Sequence, residues 1–221
     1  RKTKIAILVT SAESGDGKTY FSTNLASTYG MTGLKTLLID MDIRKPSINE
    51  RMGLEETDGV TNYLIGEKKL DEIILKKEEL NFDILLAGSV PPNPGELIRS
   101  DKLKNMFLEL REKYDYIIVD TSPIGLVADA YSLAPMMDAN LIVVRSEKTN
   151  KSFFRKLNDQ LISDNLKHFY IILNDINIEN TSYGRYGRNY GYGYGYGYGY
   201  GYSKEKDAQK YVQYYEDDKD I

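Results

Sequence analysis

The sequence predicts a doubly wound α/β domain with a mostly parallel sheet. Short apolar runs rich in leucine and β-branched residues recur along the chain, as is typical of strands covered on both faces. They are KIAILVT, KTLLID, FDILLAG, YDYIIVD, NLIVVR and FYIILN. Stretches with helical length and spacing occur between them, at 18–31, 94–112, 126–137 and 149–164. Because strands and helices alternate, the strands are expected to lie parallel in one sheet.

The composition changes near Glu179, where aliphatic residues give way to glycine and tyrosine. A segment with so few aliphatic side chains cannot bury enough apolar surface to offset the entropy lost on ordering. We therefore predict two parts, a folded domain at 1–180 and a disordered tail at 181–221.

Composition excludes several classes of protein. A net charge of −4 gives no reason to expect binding to nucleic acid or to an anionic membrane surface. Without cysteine there is no disulfide framework and no thiolate metal site. The one histidine, His168, precedes an apolar run and is expected to be structural.

The chain opens on Arg1 without a signal-peptide pattern, so we expect a piece of a longer protein.

The first strand leads directly into a phosphate-binding loop. Residues 12–19 fit A-x-x-x-x-G-K-T, a Walker A sequence in which Ala12 replaces the first glycine. Glycines let successive backbone N–H groups converge on phosphate oxygens, and the positive end of the following helix points at them. The pattern predicts ATP and Mg²⁺ as cofactors, and the alternative is a glycine-rich strand–helix turn without a nucleotide. The expected nucleotide contacts here are Ser14, Gly15, Asp16, Gly17, Lys18, Thr19 and Tyr20.

Three aspartates follow predicted strands. Asp40 and Asp42 end the second run, and Asp120 ends the fourth, where a Walker B aspartate is expected. Ligands gather at the carboxyl ends of strands in open α/β sheets, so these carboxylates are expected to surround the metal of a P-loop. Read singly, each is as readily a helix or turn cap. We predict that Asp40, Asp120 and the Thr19 hydroxyl form the Mg²⁺ site.

These motifs together resemble the bacterial tyrosine kinases, the P-loop kinases of capsule and exopolysaccharide export. The resemblance covers residues 4–180 in order and rests on ESGDGKT, LLIDMDIRKP, VPPNPGELIRSDKL, YDYIIVDTSPIGLVADA and LIVVRSEKT, followed by a tyrosine cluster. It implies an ATP-dependent protein-tyrosine autokinase on a P-loop NTPase fold. The catalytic residues that it implies are Lys18 of Walker A, Asp40 and Asp42 of the second-strand motif Walker A′, and Asp120 of Walker B.

The resemblance also implies roles for other residues. Arg44 and Pro46 match the extension of Walker A′, and we assign Arg44 to the nucleotide site. Independently of the resemblance, Arg145 and Asn174 lie at the ends of predicted strands, where a nucleotide base is within reach, and Asn174 is included among the nucleotide contacts. We favour Asp42 as the acceptor of the tyrosine proton and Asp40 as the metal-associated acid, although the sequence does not separate these roles.

The tyrosine-rich tail is the implied phosphoryl acceptor. Twelve of the 19 tyrosines lie beyond residue 180, at Tyr183, Tyr186, Tyr190, Tyr192, Tyr194, Tyr196, Tyr198, Tyr200, Tyr202, Tyr211, Tyr214 and Tyr215. Glycine between them keeps the acceptor backbone unhindered, so that different tyrosines can enter one site. The alternative is an adhesive low-complexity segment without a substrate role.

The resemblance further implies the setting in which such a kinase acts. Members of the family form a homo-oligomeric ring through a helix that precedes the first strand. Within that ring, the tail of one subunit is phosphorylated in trans by another. They act at the cytoplasmic face of the bacterial inner membrane, with a transmembrane activator, fused or separate, and a cognate phosphotyrosine phosphatase.

Two other functions remain open from the sequence. A partitioning-type P-loop ATPase has the same fold, but it carries a second lysine five residues before the Walker lysine, where this chain has Glu13. The other is a scaffold of the export machinery that holds a nucleotide without transferring phosphate.

Overall fold

The computed structural model describes residues 4–177. In these residues seven strands form one sheet in the order β3-β4-β2-β5-β1-β6-β7, with every neighbouring pair parallel except β3 and β4. The strands are β1 (Ile5–Ser11), β2 (Thr36–Asp40), β3 (Ile74–Leu75), β4 (Asp83–Leu85), β5 (Tyr116–Asp120), β6 (Ala139–Arg145) and β7 (Phe169–Asn174). The predicted doubly wound, mostly parallel sheet is confirmed. The two-residue antiparallel strand β3 was not predicted.

Helices connect the strands on both faces of the sheet. They are α1 (Lys18–Met31), α2 (Ile48–Arg51), α3 (Val60–Ile65), α4 (Leu70–Ile73), α5 (Pro94–Ile98), α6 (Asp101–Lys113), α7 (Asp129–Leu133) and α8 (Lys151–Ser163), with a 3₁₀ turn at Ala134–Met136. The predictions at 18–31 and 149–164 match α1 and α8 closely. Helices α2, α3 and α4 were not predicted.

Two predicted helices were wrong in their extent. The stretch 94–112 is divided into α5 and α6, because the Ser100 hydroxyl caps α6 by accepting a hydrogen bond from the Leu103 N–H at 3.2 Å. Within 126–137 the α-helix is limited to α7, and a 3₁₀ turn with a proline near its start follows it. Proline lacks the N–H that a continuing helix needs.

Alternate residues of the central strands pack on opposite faces of the sheet. In β1, Ala6 and Leu8 belong to one buried cluster, whereas Ile7 and Val9 belong to another. A strand buried on both faces explains why its sequence is continuously apolar. The edge strand β7 differs, because Tyr170, Ile171 and Leu173 are 53%, 56% and 54% exposed. The expectation that this run is covered on both faces was therefore wrong.

The pairing register aligns the ends of the strands that carry the predicted site. Asp40 at the end of β2 is the register partner of Asp120 at the end of β5, and Asp120 also partners Val9 of β1. The loop after β1 therefore begins at the same edge of the sheet. No helix in residues 4–177 has both the length and the apolar character needed to cross a membrane. The predicted boundary at residue 180 and the tail lie outside the described residues.

Candidate active site

The loop between β1 and α1 has the backbone shape that phosphate binding requires. Gly15 and Gly17 have φ angles of 86° and 93°, in the left-handed region that favours glycine. A side chain at Gly17 would also collide with Asn174, whose Nδ2 would lie 2.2 Å from the added Cβ. Ala12 is fully buried and has no positive φ, so alanine fits where Walker A usually has glycine. Ser14 and Gly15 are exposed at the crest of the loop.

The ends of β6 and β7 brace this loop from one side. The buried Asp16 carboxylate accepts a hydrogen bond from the Thr149 hydroxyl at 2.8 Å. The side-chain amide of Asn174 donates to the Asp16 carbonyl at 3.0 Å, and Arg145 donates to the Gly15 carbonyl at 3.2 Å. Asp16 and Asn174, predicted as nucleotide contacts, thus hold the loop in shape through bonds within the protein.

Lys18 connects the predicted catalytic residues. Its ammonium group lies 3.1 Å from Asp42 Oδ2 and 3.2 Å from Asp120 Oδ2, and it also lies 3.2 Å from the Thr19 hydroxyl. Burial works to lower the pKa of Lys18, but Asp120 and Asp42 outweigh it and the pKa is raised. The ammonium therefore stays charged and offsets the negative charge of two buried carboxylates.

Asp120 lies at the centre of the cluster and is completely buried. Its Oδ2 accepts a hydrogen bond from the Thr19 hydroxyl at 2.8 Å, whereas its Oδ1 has no hydrogen-bond partner within residues 4–177. Burial raises the pKa of this carboxyl, although Lys18 opposes the shift.

Asp40 is held by backbone groups. Its Oδ1 accepts from the Asp42 N–H at 3.0 Å, and its Oδ2 accepts from the N–H groups of Ser47 and Ile48 at 3.4 and 3.3 Å. Burial, and then repulsion from Asp120, raises the pKa of Asp40 to about 7.

The oxygen donors fit a magnesium ion that arrives with a nucleotide. Mg²⁺ binds hard oxygen ligands and usually keeps several waters, together with phosphate oxygens. The Thr19 hydroxyl, the unpartnered Asp120 oxygen and the adjacent Asp40 supply such donors on the protein side. In residues 4–177 no group of three or more His, Cys, Asp or Glu side chains is arranged to hold a metal by itself. A site completed by phosphate oxygens agrees with both observations.

Asp42 has a different set of partners. Its Oδ1 accepts a hydrogen bond from the Ser122 hydroxyl at 2.6 Å and one from the Lys45 N–H at 3.2 Å, while its Oδ2 faces Lys18. Ser122 was not predicted as a site residue. Its only signal in the sequence is its position two residues after the Walker B aspartate.

Arg44 and Tyr20 lie at the margin of this cluster. The Arg44 guanidinium forms two hydrogen bonds to the buried Asp129 carboxylate, at 2.6 and 2.9 Å, and so joins the loop after β2 to the first turn of α7. Asp129 was also missed, since an aspartate in VADA has no distinctive pattern. Tyr20 is 48% exposed on the first turn of α1.

The structure thus brings together five of the predicted site residues, namely Lys18, Thr19, Asp40, Asp42 and Asp120. Asn174 lies on the far side of the phosphate loop, and Arg44 is engaged by Asp129. The twelve predicted acceptor tyrosines lie outside the described residues.

Known proteins are similar to this chain in both sequence and fold. The AAA domain family model matches residues 3–161. The chain is 38% identical over 182 residues to the putative tyrosine-protein kinase CapB of Staphylococcus aureus, covering 82% of this chain and 80% of that protein. The kinase domain of the Escherichia coli tyrosine kinase ETK superposes with a TM-score of 0.75 and 28% identity, covering 82% of this chain and 71% of that one.

A cell-division ATPase has a related fold but a weaker likeness. The septum site-determining protein MinD of Pyrococcus horikoshii, complexed with Mg-ADP, gives a TM-score of 0.63 and 25% identity, covering 76% of this chain and 69% of that one. At the position where partitioning ATPases carry their extra lysine, Glu13 accepts a hydrogen bond from the Asn150 N–H at 3.2 Å. With the extent of the match to CapB, these findings place the chain in the family of bacterial tyrosine-protein kinases.

Proposed function

We propose that this kinase transfers the γ-phosphoryl group of Mg-ATP to tyrosines of its own C-terminal cluster. The observation that carries the proposal is the contact of one lysine, Lys18, with both Asp42 and Asp120 directly beside the phosphate loop. A lysine beside the phosphate loop and two acids next to it are the groups that phosphoryl transfer requires.

The nucleotide is held by the loop and by the acids beneath it. Backbone N–H groups from Ser14 to Thr19 bind the phosphates, and Lys18 exchanges its carboxylate partners for the β- and γ-phosphate oxygens. Thr19, Asp40 and Asp120 hold Mg²⁺, which neutralises charge on the phosphate oxygens when it is bound. Most of the rate enhancement in this reaction class comes from such positioning and charge stabilisation.

Asp42 accepts the proton of the attacking tyrosine. A tyrosine hydroxyl has a pKa near 10 and needs a base to attack phosphorus at neutral pH. Asp40 is less suited to that role because its two oxygens already accept three backbone hydrogen bonds. Asp42 Oδ2, in contrast, faces Lys18 and becomes available once Lys18 binds phosphate. The proton passes from the tyrosine oxygen to Asp42 as the bond from that oxygen to the γ-phosphorus forms and the bond from the γ-phosphorus to the bridging oxygen breaks, so that ADP leaves.

The acceptors are the tail tyrosines from Tyr183 to Tyr215, presented in trans by a neighbouring subunit of a ring. The resemblance to capsule-export kinases supports this assignment. It also supports a role in capsule or exopolysaccharide synthesis at the cytoplasmic face of the inner membrane, with a transmembrane activator and a phosphotyrosine phosphatase as partners.

One assay separates this function from its alternatives. The purified protein is incubated with Mg²⁺ and γ-labelled ATP, and labelled protein and free phosphate are both counted. Label on tyrosine supports the kinase. Free phosphate without labelled protein supports an ATPase switch, which the likeness to MinD favours as the second candidate. Neither signal, with nucleotide still bound, supports a scaffold.

A further inference from the structure

We propose that Ser122 is a positioning residue for phosphoryl transfer, whose hydroxyl fixes the orientation of the Asp42 carboxylate. The hydroxyl lies 2.6 Å from Asp42 Oδ1, and both residues are buried, with exposures of 3% for Ser122 and 6% for Asp42. This inference rests on the proposed function, because it concerns the group that accepts the tyrosine proton.

The contacts of Asp42 divide between its two oxygens. Oδ1 accepts hydrogen bonds from the Ser122 hydroxyl and, at 3.2 Å, from the Lys45 N–H. Oδ2 is paired with the Lys18 ammonium. One oxygen is therefore fixed by the protein itself, and the other is paired with the side chain that must turn toward the nucleotide.

Nucleotide binding changes this balance. When Lys18 moves to the phosphates, Asp42 loses the only side-chain partner that the structure gives its Oδ2 within the described residues. The bond from Ser122 then becomes the shortest remaining restraint on the carboxylate, because the bond from Lys45 is 0.6 Å longer. With Oδ1 held in this way, Oδ2 stays directed at the incoming tyrosine oxygen, as proton transfer requires.

Ser122 is suited to this task because its own backbone is fixed. Its carbonyl accepts a buried hydrogen bond from the Thr10 hydroxyl of β1 at 2.8 Å. The Ile124 N–H donates to that same hydroxyl at 3.0 Å. These two bonds attach the segment after Walker B to β1 on both sides of Pro123. Because these bonds attach the segment to the sheet, the Ser122 hydroxyl has a fixed position relative to the sheet and can orient the Asp42 carboxylate.

The test is a double-mutant cycle on phosphoryl transfer. In the full-length protein, Ser122→Ala should lower kcat roughly 10- to 100-fold, the range expected for a lost hydrogen bond to a charged group. The KM for ATP should stay within about twofold, because the serine touches no nucleotide-binding group. In an Asp42→Asn background, Ser122→Ala should cause no further loss, since its effect passes through the missing carboxylate. Single-turnover measurement keeps the slow variants quantifiable.

The matched control is Ser132→Ala, which removes a hydroxyl whose hydrogen bond is to the Ala128 carbonyl at 3.4 Å. This variant should transfer phosphate at the wild-type rate. Thermal unfolding and binding of a fluorescent ADP analogue confirm that each variant is folded at the assay temperature. An unchanged kcat for Ser122→Ala overturns the inference. An equal loss with and without the Asp42 carboxylate also overturns it, because that result marks a purely structural serine.

The kinase activity and the positioning role of Ser122 are contradicted by different results. If the wild-type protein forms no phosphotyrosine, the proposed function itself is wrong. If the wild type is an active kinase and Ser122→Ala matches it, the kinase stands and the role of Ser122 is withdrawn.

Discussion

Asp40 and Asp120 lie opposite each other in register at the ends of β2 and β5, and both carboxylates are buried. Ionising both of these buried carboxyl groups costs electrostatic free energy unless a cation lies between or beside them. Lys18 contacts Asp120, whereas Asp40 accepts its hydrogen bonds from backbone N–H groups within residues 4–177. Burial and then repulsion from Asp120 raise the pKa of Asp40 to about 7, and burial also raises the pKa of Asp120 although Lys18 opposes that shift.

A pH dependence of stability follows from that pKa. Asp40 titrates near 7 when folded and near 3.9 when unfolded, so the unfolded chain ionises first and folding stability falls as pH rises between these values. Asp40→Asn removes this loss. Without Mg²⁺ and nucleotide, the stability of the variant relative to wild type should therefore rise by roughly 2–3 kcal/mol from pH 5 to pH 8. Urea unfolding at the two pH values measures it, and an equal difference at both would contradict the assigned pKa.

Lys18→Met should abolish autophosphorylation, with a loss of at least about 100-fold because the charge stabilisation of the phosphoryl group is removed. The structure adds a second expectation. The lysine is paired with the carboxylates of Asp42 and Asp120, so without Mg²⁺ and nucleotide the variant should also lose about 3–5 kcal/mol of folding stability. A phosphotyrosine blot and urea unfolding measure the two effects. Near-normal phosphotyrosine would contradict the assignment of the phosphate loop.

The acid pair should separate into two roles. Asp42→Asn should bind Mg-ATP with near wild-type affinity and transfer phosphate slowly, because in the proposed mechanism this variant loses only the proton acceptor. Asp40→Asn should instead need more Mg²⁺ for half-maximal activity. Calorimetric titration with a non-hydrolysable Mg-ATP analogue, beside activity measured over a range of Mg²⁺ concentrations, tests both. If Asp42→Asn is the variant that loses Mg-ATP binding, the two roles are reversed.

Phosphorylation of the tail should loosen self-association. Each phosphotyrosine adds about −1.5 to −2 charges, so four would add roughly −6 to −8 to a chain that already carries −4. In the proposed ring, phosphorylated tails would repel each other, and salt would weaken that repulsion. Light scattering on full-length protein should show smaller species after ATP treatment, with the Lys18→Met variant as the unphosphorylated control. An unchanged assembly after stoichiometric phosphorylation would make the tail a substrate without a regulatory effect on assembly.

The sequence was sufficient for the parts of the site that follow from strand periodicity. The structure confirms that Asp40 and Asp120 end neighbouring strands, and this position could be predicted because both strands are continuously apolar and parallel. Ser122 and Asp129 were missed because their roles depend on distant partners, Asp42 and Arg44. Such pairs are contacts between loops, and no local pattern encodes them.

The contacts and the exposure of individual side chains could not be predicted from the sequence either. From the sequence, Lys18 is a lysine on a loop that faces a nucleotide, and only the folded protein shows its ammonium group between two carboxylates. Likewise, β7 has the composition of a buried strand, but its place at the sheet edge leaves Leu173 and Tyr170 half exposed. The order of strands in the sheet decides that exposure.

The most direct test of the central claim locates the transferred phosphate. Wild-type protein and the Lys18→Met variant are incubated with Mg-ATP, digested and analysed by tandem mass spectrometry. We expect phosphate on tyrosines between Tyr183 and Tyr215 in the wild type and none in the variant. ATP consumed by the wild type with no phosphotyrosine anywhere in the chain, or the same tyrosines modified in the variant, would contradict a kinase site built on Lys18.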